Sequence, residues 1–352
     1  MIDSIRLQRF RSYSDDSFEF DSGVNIVIGP NASGKTNLLE AILVLSSGKS
    51  FRAKDSELVQ LRKSWARLDG YFGAQERIVK LVKENDKVLK TFSIDNKPFK
   101  RLSLDRTMPT VLFEPYHLQL ISRGPEFRRE YFDDILERTR PGFKSLSTNY
   151  RRALAQRNAL LKQAPVHAKK QLFAWDVRLS ELGAQIAQAR QELVSHINKS
   201  VGKSYSQIAN RRSGVELVYD SPFDINSYSS RLLSKLEAAE SSDFERGFTA
   251  YGPHREDFLL HLNKQPAQST ASRGEIRSLL IALKIFELGL IEKVRGAKPV
   301  FLLDDVFSEL DGARRHHLVD HLKNHQTIIT TTDADTVVNY FAGTHTLIPL
   351  QK

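Results

Sequence analysis

Cysteine is absent from the 352 residues. That excludes a disulfide framework and every cysteine-based zinc site, and it suits a reducing compartment. Long apolar runs are also lacking. No stretch approaches the ~20 residues of a membrane span, and MIDSIRLQRF opens the chain without the apolar region of a secretory signal. A soluble, cytoplasmic protein is the expectation. There is no low-complexity segment and no long-period repeat. Acid is in deficit: 52 Lys and Arg stand against 42 Asp and Glu, a net charge of +10. An excess of this size favours polyanionic partners such as nucleic acid. The length suits two domains, or one large domain carrying an insertion.

What is present first reads as strands. SIRLQRF (4–10), SFEF (17–20) and VNIVI (24–28) alternate or are β-branched, and further strands are expected near 66–72, 77–83, 88–94 and 110–114. The middle of the chain is rich in Arg, Lys, Leu, Ala and Gln. There Leu172, Trp175, Leu179, Leu182, Ile186, Ala189 and Leu193 step by threes and fours, an a/d seam. With a helix over 144–163 and Pro165 in the break, the spacing predicts an antiparallel helical hairpin. Strands return at 214–220, 257–263, 299–305 and 326–333, with helices at 275–294 and 311–324.

Gly29-Pro30-Asn31-Ala32-Ser33-Gly34-Lys35-Thr36 fits GxxxxGK[ST], with a β-branched strand before it and a helix leading out of it, and Asn37 joins these residues as a nucleotide-binding candidate. Backbone N–H groups of such a loop cradle a phosphate. Lys35 is expected on the β/γ oxygens and the Thr36 hydroxyl on Mg²⁺. FLLDD (301–305) ends an apolar strand in two acids: Asp304 is expected on the metal side, Asp305 where a hydrolytic base would sit. The two halves lie about 270 residues apart, so one ATPase domain reads as interrupted by an insertion. Ser272-Arg273-Gly274-Glu275 opens a later helix and forms a second possible anion cradle, which makes sense if it closes over the phosphate of another subunit.

Taken in order, the P-loop, SRGE, LLDD, SELD (308–311) and TTTD (330–333) resemble the ABC-type ATPases, and within them the SMC-like branch and its RecF family. LQRFRSY (7–13), SFRAKDSELV (50–59), GPEFRREYFD (124–133) and YGPHREDF (251–258) extend the resemblance over nearly the whole chain. It implies an α/β fold: an ABC-type head of mixed sheet and helices over 1–123 and 245–352, with an inserted, mostly helical arm over 124–244. It implies ATP and Mg²⁺ as cofactors and an ATP-dependent homodimer in which Ser272 and Gly274 reach the partner's γ-phosphate. Thr332 and Asp333 would take the switch position, Thr332 sharing catalysis with Lys35 and Asp305, and Arg11 and Arg52 would lie near the nucleotide. It further implies weak ATP hydrolysis and binding of double-stranded or gapped DNA. In DNA repair, replication and the SOS response, RecR and RecO would be partners in loading RecA. Arg128, Arg129, Arg151 and Arg152, in the basic middle segment, are the DNA-facing candidates. The chain departs from the family pattern where Glu275 follows the signature glycine, where Tyr116 follows TVLFEP, and where Asp305 replaces the usual glutamate; Gln119 is the nearest Q-loop candidate. A rival reading is an ABC subunit of another machine such as a transporter, and a third is an interaction protein that uses ATP only structurally.

Overall fold

The computed structural model describes the chain except residues 86, 164, 323, 334–336, 342–344 and 351–352, and the side chains of 165–168, 170 and 308. Among the described residues the strands are, in chain order, β1 (Ser4–Phe10), β2 (Tyr13–Glu19), β3 (Val24–Ile28), β4 (Trp65–Phe72), β5 (Gln75–Glu84), β6 (Lys87–Ile94), β7 (Lys97–Phe99) and β8 (Thr110–Phe113). They continue as β9 (Val215–Asp220), β10 (Asp257–Leu262), β11 (Gln265–Pro266), β12 (Val300–Asp304), β13 (Thr327–Thr331) and β14 (His345–Pro349). The chain divides into two compact units, 1–118 with 284–352, and 119–283. The second division falls inside helix Arg273–Arg295. The reason is pairing: β10 lies antiparallel on β9, which keeps 257–262 with 215–220.

The first unit holds two sheets. One is antiparallel, in the order β2-β1-β4-β5-β6-β7; the other is parallel, in the order β14-β3-β13-β12-β8. Helix Lys35–Ser47 contributes Leu38, Leu39, Ala41, Ile42, Val44 and Leu45 to one apolar cluster shared by both sheets. A helix apolar on every side is one buried on every side. Every residue of β12 and β13 is buried, as a parallel sheet covered on both faces requires. The parallel order brings the carboxyl ends of β3, β8, β12 and β13 to one edge, where open α/β sheets place ligands.

In the second unit, helices Phe143–Leu161 and Pro165–Asn198 form the hairpin that the a/d pattern predicts. Pro165 begins the second helix, where its missing N–H costs nothing. Leu172, Leu179, Leu182, Ile186, Ala189 and Leu193 are buried. The hairpin also encloses a charge: Arg157 is fully buried and donates to Asp176 (2.5 Å), Asp243 (2.6 Å) and Thr249 (3.0 Å).

Candidate nucleotide site

β3 delivers the chain to the parallel edge, and the loop 29–34 turns it into helix Lys35–Ser47. Gly34 turns with φ 105°, in the left-handed region, and a Cβ there would stand 2.9 Å from the Tyr13 hydroxyl oxygen. At Gly29 a Cβ would meet Ser33 Oγ at 2.5 Å. Both positions therefore demand glycine. Ser33 Oγ is buried without a hydrogen-bond partner, a polar atom at the helix entrance that a phosphate oxygen would satisfy.

Lys35 donates to the carbonyls of Gly29 (2.6 Å) and Pro30 (2.9 Å). Burial pulls its ammonium below the ordinary lysine value, against the pull of Asp305 and Asp304. The two distant halves of the site meet here. Thr36 Oγ1 donates to Asp304 Oδ1 at 3.0 Å across 268 residues. Thr330 Oγ1, abreast of Asp304 on β13, donates to the same oxygen at 2.8 Å. Asp305 has φ 52°, a left-handed turn that Asp tolerates, and its N–H is bonded to Thr330. Asn31, Ala32, Gly34, Lys35, Thr36, Asn37, Arg52, Pro115, Asp304 and Asp305 line one cavity of about 470 Å³, within the usual range for a small-molecule site. A hydroxyl bonded to a carboxylate is a hard-oxygen donor set that fits Mg²⁺. The described residues contain no cluster of three metal-binding side chains.

Two neighbours of the site are not evident from motifs. Thr330 was expected only as part of a polar strand end, with Thr332 in the switch role. Thr330 makes the contacts to both acids, whereas Thr332 is exposed and does not line the cavity. Glu114 follows β8, whose Phe113 is abreast of Leu303, so the register continues Glu114 alongside Asp304. Burial, and then Asp304, raise its carboxyl to about 7, against Lys284 and Arg52. Only strand register could have pointed to it. Behind the loop, fully buried Glu40 accepts two hydrogen bonds from Arg11 (2.7 and 2.9 Å), one from Ser50 and one from Arg52. Burial alone would raise its carboxyl, but these donors outweigh it and hold the group below its ordinary value. Arg52 also donates to Asn37 (2.6 Å). Thus Arg52 reaches the cavity, while Arg11 serves as a brace.

In the second unit, Ser272 caps helix Arg273–Arg295. Its Oγ accepts from the Glu275 N–H (3.3 Å), and Glu275 Oε2 accepts from the Ser272 N–H (2.8 Å) and hydroxyl (2.9 Å). This is a capping box. Glu275 also stands 3.8 Å from Arg211, so the unexpected acid after the signature glycine turns onto the cap and faces a base. Gly274 lies in the first turn of this helix. Gln119 is exposed and accepts from Arg123 (2.5 Å).

The four DNA candidates divide. Arg128 is buried and makes a two-pronged pair with Asp257 (2.8 and 2.6 Å), with its remaining donors on the carbonyls of Ile121 and Arg123. Removing it would leave Asp257 alone in that setting, which is costly. Arg129 is half-buried on the Glu256 carbonyl (2.7 Å). Arg151 and Arg152 are exposed. The side chain of Ser308, first residue of SELD, lies outside the described residues.

The RecF/RecN/SMC N terminal domain family matches residues 1–347. A DNA replication and repair protein RecF from Halothermothrix orenii is 33% identical over 345 residues, covering 94% of this chain and 92% of that one. Another from Heliobacterium modesticaldum is 35% identical over 343 residues, covering 94% and 92%. A solved structure described as the recombination mediator protein RecF-ATPrS in the RecFOR pathway superposes with a TM-score of 0.85 at 30% identity, covering 96% of this chain and 94% of that one. An SMC head bound to the C-winged helix domain of ScpA, at 16% identity and TM-score 0.54, shares the fold. The chain belongs to the RecF/RecN/SMC N-terminal domain family, and within it to RecF.

Proposed function

We propose that the chain is an ATP-gated DNA clamp of recombinational repair and replication restart: two copies close around ATP, bind duplex or gapped DNA, and release it on slow hydrolysis. The observation that carries this reading is the Thr36–Asp304 hydrogen bond, which joins the P-loop to the distant acidic strand. In that reading the loop from Gly29 to Asn37 holds the phosphates, Lys35 neutralises the β/γ oxygens, and Thr36 and Asp304 hold Mg²⁺. The ion would screen charge between the phosphates when bound. Asp305 orients the attacking water; its carboxylate is one methylene shorter than a glutamate, which favours slow turnover. Thr332, outside the cavity, is a weaker catalytic candidate than Thr330. Ser272 and Gly274 would close on the γ-phosphate of the second copy. The relatives' place in the RecFOR pathway supports RecR and RecO as partners in loading RecA, and a cytoplasmic setting. Among the described residues no helix is long and apolar enough to cross a membrane.

Sedimentation tests the reading. With saturating Mg-ATP and DNA the protein should pass from monomer to dimer, and Ser272→Arg should block the change. A wild-type protein that stays monomeric at micromolar concentration under those conditions would refute the shared site.

A further inference from the structure

We infer that the solvent face of the six-stranded sheet carries a docking surface for an acidic protein segment with apolar side chains. The inference stands on the first unit alone and does not depend on the ATP-clamp reading. Trp65, Val82 and Leu89 lie abreast on β4, β5 and β6, because Trp65 pairs with Val82 and Val82 with Leu89. Directly opposed residues share a face, and this face is open: Val82 is 38% and Leu89 52% exposed. The turn at this end is held by Gln60 N–H on the Arg9 carbonyl (2.8 Å) and Lys83 N–H on the Ser64 carbonyl (2.7 Å). It presents Leu61, 83% exposed. Large apolar groups gathered on a solvated sheet face mark interaction sites; scattered singly they would mean nothing.

Charge selects the occupant. Arg9 bulges out of β1 with φ 52°, and its guanidinium lies 4.1 Å from the centre of the Trp65 ring. Arg62 and Lys63 follow Leu61 in the same turn, Lys80 precedes Val82 on the outward side of β5, and Lys87 is exposed beside Leu89. By the same register the acids on this face are Glu84, opposite Lys87; Asp69, bound to Arg67; Asp15, bound to Arg6; Glu76, which accepts from the Tyr71 hydroxyl; and Glu19, opposite Ser4. Among those on β4, β5 and β6, Glu84 is the one next to the apolar row. An apolar row rimmed by cations complements an anionic segment with apolar anchors. Nucleic acid fits less well. Three of the four apolar groups are aliphatic and offer no stacking plane, and one side of the lone indole is already covered by Arg9.

The test uses the full-length protein carrying Trp175→Phe, which leaves Trp65 as the reporter among the two tryptophans. The probe is a short synthetic peptide alternating glutamate with leucine and phenylalanine. It should quench or shift Trp65 emission at micromolar concentration. Leu61→Ser, Leu89→Thr and Arg9→Asn should each weaken binding about ten-fold, and replacing the peptide's apolar residues with serine should abolish it. Asparagine keeps the left-handed backbone at position 9, and an unchanged far-ultraviolet circular dichroism melt serves as the folding control. The inference is overturned if the peptide fails to bind, or if the three variants bind it unchanged. It is also overturned if oligo(dT), anionic vesicles or a second copy of the chain engages Trp65 where the peptide does not.

Discussion

His254 shows how completely one residue's state can be set by its contacts. Its Nδ1 is 2.7 Å from the Tyr150 hydroxyl and its Nε2 3.2 Å from the Thr249 carbonyl. The carbonyl can only accept, so Nε2 carries the proton and Nδ1 accepts from Tyr150. Burial, opposed by the Thr249 bond, lowers the imidazole to about 4. The unfolded chain then takes up a proton below about pH 6.5 that the native chain refuses until about pH 4. Stability should therefore be full above that window and fall through it, by up to roughly 3 kcal/mol. Comparing Tm against pH for wild type and His254→Gln isolates this share, because glutamine can keep both bonds without titrating. Neighbouring Gly252 has φ 127°, and a Cβ there would stand 2.6 Å from the Tyr150 oxygen, so Gly252→Ala should destabilise at every pH. In the nucleotide site the comparable residue is Thr330. Thr330→Val removes a donor to Asp304 and the side-chain acceptor of the Asp305 N–H, leaving the backbone acceptor, while keeping shape and strand propensity. Groups that orient ligand carboxylates in this way are worth about 10- to 100-fold in metal affinity. Calorimetry should show a loss of that size for ATP with Mg²⁺, and little change in EDTA.

At the scale of elements, the buried Arg157 ties both hairpin helices to helix Glu240–Arg246 through Asp176 and Asp243. Arg157→Ala would leave two buried carboxylates facing each other, at a cost of about 3–5 kcal/mol. Hydrogen exchange should quicken in 143–198 well before it does in β12 and β13. If protection in the hairpin is unchanged, the ion pairs contribute nothing there. Arg157 also marks the limit of what could be read beforehand. Period and turn chemistry located β1, β3, β12, the P-loop helix and the hairpin, since each is a local pattern of burial. The partners of Arg157 and Arg128 lie 86 and 129 residues away at Asp243 and Asp257. Local spacing therefore could not separate these arginines from solvated Arg151 and Arg152. Glu114 and Thr330 were hidden for the same reason, because their places follow from parallel register between strands far apart in sequence.

Over the whole molecule the charge of +10 sets how polyanions are met, but only the part of it left in water can act. Arg128, Arg157 and Arg190 are buried on carboxylates, so they contribute to cohesion and not to a surface field. Exposed cations such as Arg151 and Arg152 are the ones able to displace counterions from DNA. Each phosphate contact contributes about 0.9 to the slope of log affinity against log salt on duplex. Changing Arg151 and Arg152 together to glutamine should therefore lower that slope by up to about 2 while leaving Tm within a degree or so. Arg128→Gln should do the opposite: lower Tm by several degrees, because Asp257 loses its pair, and leave the slope of the remaining folded protein unchanged. Gel shifts on duplex across a salt series, read beside thermal melts of the same variants, separate the two roles. If Arg128→Gln reduced the slope at unchanged Tm, its ion pair with Asp257 would have to open on DNA. The basic surface would then extend beyond the residues exposed in the free protein.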